Sequence, residues 1–110
     1  MGSVSVTQAV AEQIRDAVLE VEGVAGLTSG RMGQAFLRVP GAMVEGIRLI
    51  DDTPADASGT HLAIYEVYEL ASRREIPQIV EDVQNAVVNL PAFADSDGGT
   101  RVDVVVADAA

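Results

Sequence analysis

The chain predicts an α+β domain: a two-layer sandwich with two helices on one face of a small three- to four-stranded mixed sheet. Three observations carry this reading. A run of β-formers, His61-Leu-Ala-Ile-Tyr-Glu-Val-Tyr-Glu-Leu70, leads through a polar connector to Ile76-Pro77 and a strongly amphipathic helix ending at Leu90. An earlier segment, from Val6 to Val21, repeats apolar residues at helical spacing. The alternating stretch Arg101–Val106 then reads as a closing strand. The expected order is α-β-β-α-β, with room for one extra short strand, and residues 1–110 form a single domain.

The first helix opens with Ser5-Val-Thr-Gln8, which has the form of a capping box with Ser5 at the N-cap and Gln8 at N3. Val6, Val10, Ile14, Ala17, Val18 and Val21 make its inner stripe, and Leu19 points away from it. Gly23 is placed to end the helix in the left-handed cap position. The glycine-rich stretch Gly23–Gly33 reads as a flexible connection. It does not qualify as a phosphate cradle, because such loops leave a strand and open a helix, and no Lys follows here.

Ala35–Val39 and Glu45–Ile50 are two short strand candidates, joined by Pro40-Gly41 as an irregular hairpin. Asp51–Thr60 reads as a solvated polar loop, since its carboxylates lack the alternating spacing and terminal Glu of a calcium loop. Asp95–Gly99 is turn chemistry on the same ground. In the His61 strand, Leu62, Ile64 and Tyr68 share a face with Glu66, while Ala63, Tyr65 and Val67 share the other with His61. Apolar groups on both faces predict a central strand.

Arg73 and Arg74 sit in a charged connector and read as solubilising residues. Pro77 suits the first turn of a helix, where its missing N–H has no intrahelical partner. Ile76, Ile79, Val80, Val83, Ala86, Val87 and Leu90 line the inner face of that helix, and Pro91 stops it. Its crossover to the Arg101 strand should be parallel and right-handed. In that last strand Val102, Val104 and Val106 share one face and Val105 takes the other, and Asp108–Ala110 should fray.

Composition narrows the function. The 110 residues carry a formal charge of −10, from 17 acidic residues against 7 basic ones, all of them Arg. Nucleic-acid binding depends on neutralising phosphates, so this balance points away from it, as it does from docking on an anionic membrane. Cysteine is absent, which excludes disulfides, thiolate metal sites and cysteine nucleophiles. No apolar run approaches the about 20 residues of a spanning helix, so direct membrane insertion is not expected and a cytoplasmic location is. His61 is the only histidine, and without a placed Ser or carboxylate it reads as a solvent-facing strand-start residue. No catalytic, cofactor-binding or metal-binding constellation emerges.

Several pieces resemble the bacterial alkaline shock protein family, small envelope-stress proteins. The first helix leading into Glu20-Val-Glu-Gly-Val-Ala-Gly-Leu27 is similar to that family's E-V-x-G-V opening. Tyr68 followed by Ile76-Pro77, with Val80, Val83, Gln84 and Val87, resembles its strand–Ile-Pro–helix segment. Gly46-Ile47 and the closing Val102-Asp-Val-Val-Val106 complete the resemblance, which covers most of the chain. Departures are Glu69 in place of a glycine after the tyrosine, a longer connector, and an extended Asp51–Thr60 loop. The resemblance implies a non-enzymatic, self-associating cytoplasmic protein linked to cell-envelope homeostasis, held at the membrane by an anchor protein and needing no cofactor.

A competing function is a KH-like RNA-binding module, suggested by Gly30-Arg-Met-Gly33 and the small α/β layout. The residues themselves favour self-association. With both helices on one side, Ala63, Tyr65 and Val67, with Val105 beside them, form an apolar patch that no helix covers. A homo-oligomer is the expected way to cover it.

Overall fold

The computed structural model describes residues 7–30, 36–39, 42–50, 60–93 and 100–110. Helix α1 spans Gln8–Leu19, and its N-cap is Thr7, whose Oγ1 accepts the Val10 N–H at 3.3 Å. The cap therefore lies two residues beyond the expected Ser5, which falls outside the described residues. Gln8 is not the N3 partner of a capping box; its amide instead donates forward to Glu12 at 3.4 Å. Ala11, Ile14 and Val18 are fully buried at spacings of one helical face, with Val10 and Val21 flanking them.

The helix stops at Leu19 with Glu20 as C-cap in ordinary right-handed geometry, so Gly23 is not the cap it was expected to be. Gly23 has φ +103°, and a Cβ there would lie 2.4 Å from Ile79 Cδ1. Its role is close approach: with no side chain it lets the chain pass against the second helix. Its carbonyl accepts the Glu69 N–H at 2.8 Å, which starts a strand where a flexible connection was expected. That strand, β1 (Val24–Leu27), pairs antiparallel with the centre of the sheet, with an irregularity between Val24 and Gly26.

β2 (Phe36–Val39) and β3 (Ala42–Glu45) form the antiparallel hairpin. The expected partner of the first hairpin strand was Glu45–Ile50. The chain divides instead at Gly46, where φ +90° breaks the strand and a Cβ would meet Leu27 Cβ at 2.5 Å. Beyond it β4 (Ile47–Leu49) leaves the hairpin and joins the main sheet.

β5 (Thr60–Tyr68) is the central strand, as its two apolar faces predict. β1 and β4 lie end to end along one of its edges. Tyr65 marks their junction, with its N–H on Gly46 O at 2.8 Å and its carbonyl accepting Thr28 N–H at 3.1 Å. β6 (Thr100–Ala109) runs parallel along the other edge from Thr60↔Thr100 to Tyr68↔Ala109. The extra residue between Val106 and Asp108 makes a bulge opposite Glu66 and Val67. The end of β6 does not fray: Ala110 N–H donates to Tyr68 O, and Ala110 O accepts Leu70 N–H.

Helix α2 (Ile76–Val88) carries the crossover, with Pro77 in its first turn and Ile79, Val83 and Val87 fully buried. Ile76 is 42 % exposed, outside the inner face it was assigned to. A short 3₁₀ turn, Leu70–Ser72, precedes α2, and Arg73 adopts a left-handed φ of 57°. Arg74 is no idle solubiliser. Its guanidinium donates to Glu22 O and to Asp82 Oδ2, both at 2.7 Å, while its carbonyl accepts the Tyr68 hydroxyl at 2.8 Å. One residue thus ties the exit of α1 to the end of β5 and the middle of α2.

Both helices pack on one face, where a single cluster joins Ile14, Val18, Ile79 and Val83 to Ile47, Leu62, Ile64 and Val102. Leu37 and Val44 of the hairpin belong to the same cluster, and Phe93 closes it beyond α2. The architecture is an open, mixed four-stranded sheet with helices on one side, the α+β class that the chain predicts.

Candidate functional site: the helix-free face of the sheet

Alternation along β5 directs His61, Ala63, Tyr65 and Val67 away from the helices. The parallel register sets Arg101, Asp103 and Val105 beside His61, Ala63 and Tyr65, and beyond the bulge Asp108 beside Val67. On the opposite edge, Arg48 pairs with Ala63 and Gly26 with Val67. None of these residues belongs to the core cluster.

The face divides into two ends. At the apolar end Val105 is 38 % exposed, and Tyr65 and Val67 are half-buried. Ala63 is only 5 % exposed and so is buried, although it lies on the same face. Of the four residues expected to form a self-association surface, Tyr65, Val67 and Val105 keep exposed area and Ala63 does not.

The polar end holds a pair that the residues alone did not reveal. His61 Nε2 lies 2.7 Å from Asp103 Oδ2, and the His61 side chain is 11 % exposed, so it is not the solvent-facing, partnerless residue expected. An ionised carboxylate only accepts, which places the proton of that bond on Nε2. The hydrogen bond from His61 is the main cause that holds the Asp103 carboxyl below the usual carboxylate range. Arg101 Nε adds a longer contact at 3.4 Å. The chemistry is that of a base with its orienting carboxylate. The strand residues paired on this face include no Ser, Thr or Cys beside His61 and Asp103.

Glu66 lies on the other side of β5. It is fully buried beneath the helices, beside Leu27 and Val106, and neither carboxylate oxygen has a hydrogen-bond partner. Burial raises its carboxyl from an ordinary 4.5 to about 7. Its place on the Leu62–Tyr68 face is plain from alternation; its enclosure depends on the helices above, which alternation does not report.

Gly30 has φ +82° and follows β1, with its N–H on Thr28 Oγ1 at 3.3 Å. The rest of the Gly30–Gly33 motif, most of the Asp51–Thr60 loop and the Asp95–Gly99 turn lie outside the described residues. Among the described residues no group of His, Asp and Glu is placed to hold a metal ion, and no helix is long and apolar enough to cross a membrane. Comparison with family models, with curated proteins and with solved structures finds no match for this chain.

Proposed function

We propose that the protein is a non-enzymatic, self-associating interaction domain that works as a scaffold in the bacterial cell-envelope stress response or envelope homeostasis. The observation that carries the self-association is the helix-free face, where Tyr65, Val67 and Val105 lie together outside the core cluster. Apolar groups gathered on one face of a small sheet favour covering by another surface. A second copy brings the same patch, so a symmetric contact is self-complementary. The envelope role rests on the resemblance to the alkaline shock proteins. By it, the domain acts in the cytoplasm and reaches the membrane through an anchor protein, with no cofactor.

RNA binding is the weaker reading, because a formal charge of −10 opposes phosphate contacts. The test is the double substitution Tyr65→Glu and Val67→Asp. The variant is expected to remain folded by circular dichroism and to run as a smaller species than the parent in light scattering. An unchanged assembly would contradict the role of this face. Co-purification from membranes of a small transmembrane protein that carries the parent but not the variant would support the envelope role. Recovery of soluble enzymes alone would count against it.

A further inference from the structure

β6 is the longest strand, yet among the described residues it pairs with a neighbour along one edge only. Along a parallel ladder, successive residues turn their N–H and C=O alternately to the two edges. Ala110 turns both toward β5, and the register places Val102, Val104 and Val106 outward. Two outward groups already have side-chain partners: Val102 O accepts Gln84 Nε2 at 3.0 Å, and Ala109 N–H donates to Asp108 Oδ1 at 2.8 Å. The N–H and C=O of Val104 and Val106 have no such cover among the described hydrogen bonds. A strand edge of this kind is a template for another strand.

We propose that the occupant of this edge is β6 of a second copy, paired antiparallel about a two-fold axis at Val104. The proposal rests on the self-association reading and specifies a contact for it. The argument is complementarity. A two-fold perpendicular to the sheet keeps the helices of both copies on the same side and sets residues of like face opposite one another. Centred on Val104, it pairs Val104 with Val104, Val102 with Val106, where Val102 O accepts through its second lone pair beside Gln84 Nε2, and Asp103 with Val105. The bulge at Ala107 skips one residue, so the next pair on the open face is Arg101 with Asp108. Opposite charges therefore meet at both ends of the ladder, and β-branched valines fill its middle. A centre at Val106 moves Arg101 and Asp108 out of opposition; a centre at Val102 opposes Arg101 to Asp103 instead, but pairs Val104 with Thr100 and loses the run of valines in the middle of the ladder. Pairing at the edge leaves Tyr65, Val67 and Val105 uncovered and joins the open faces of two copies into one wider surface. Edge pairing and face contact are thus compatible steps of one assembly.

Sedimentation velocity of the full chain tests the pairing. Val104→Pro removes an outward N–H and no bond to β5, so a folded monomer or a smaller species is expected. Proline could still distort the strand, so charge reversal supplies the second arm. Arg101→Asp and Asp108→Arg should each raise the dimer dissociation constant about tenfold, because symmetry repeats the pair, and the double variant should recover most of that loss. Assembly that survives Val104→Pro and both reversals, yet is lost in the Tyr65→Glu, Val67→Asp variant, would overturn the edge contact and leave self-association through the face standing. A parent that is monomeric throughout would overturn both.

Discussion

Tyr65 and Val105 stand side by side in the β5–β6 register, on the side of the sheet that neither helix covers. Tyr65 also spans the junction of β1 and β4 through its own backbone, with its N–H on Gly46 O and its carbonyl accepting Thr28 N–H. An apolar surface on a strand paired along both edges is pre-organised for contact, with little ordering left to do on binding.

The opposite face sets the stability. Val83 is fully buried in the middle of the α2 stripe, whereas Gln78 is exposed and its side chain bonds to Asp82 on its own helix. Val83→Ala should cost on the order of 1–3 kcal/mol through lost burial and a residual cavity. Gln78→Ala should stay within about 0.5 kcal/mol. Denaturant midpoints measure both, and equal midpoints would mean that α2 does not carry the core.

Glu66 makes the fold sensitive to base. Its carboxyl is raised in the folded state, so the stability it permits is complete below about 4.5 and is lost as pH rises through about 7. The loss is on the order of 3 kcal/mol at most. Glu66→Gln removes the titration while keeping the shape. Melting temperatures of parent and variant should diverge between pH 5 and pH 8 (about the window of the linkage), with the parent falling faster. Parallel curves would contradict the buried carboxyl.

Two glycines make a matched pair. Gly23→Ala forces a left-handed φ and a clash with Ile79, and should cost about 1–3 kcal/mol. A Cβ at Gly26 meets nothing within 4 Å, and Gly26→Ala should cost no more than about 0.5 kcal/mol. Thermal melts of the two variants decide it.

The His61–Asp103 bond is read by titration. In His61→Ala the Asp103 carboxyl should move up toward its ordinary 3.8, because its main stabilising hydrogen bond is gone. A depressed carboxyl adds stability above its unfolded pKa that is lost as pH falls, so the variant should also lose less of its stability in acid. Carbon-detected NMR of Asp103 against pH measures the change, and an unmoved titration would sink the pairing.

What could be read from the residues is the part that is local. The span from His61 through Ile76-Pro77 to Val106 announces itself because each segment repeats with its own period, and the structure places β5, α2 and β6 there. β1 was illegible because Val-Ala-Gly-Leu has little strand character of its own; its pairing with Tyr68, Val67 and Glu66 makes it a strand. An antiparallel hairpin in this region was expected, with its Pro40-Gly41 turn outside the described residues, but the break at Gly46, where a Cβ would meet Leu27, was not. His61 and Asp103 are brought together by a register between strands about forty residues apart, which no spacing rule reports. Arg74 looked like a solubilising charge because its acceptors, Glu22 O and Asp82, come from other elements.

Self-association is the central claim, and the mass of the parent chain tests it most directly. Light scattering at high micromolar concentration should give at least twice the 11.5 kDa of one chain, falling toward that value on dilution. A mass that stays at 11.5 kDa across the whole range would contradict the account.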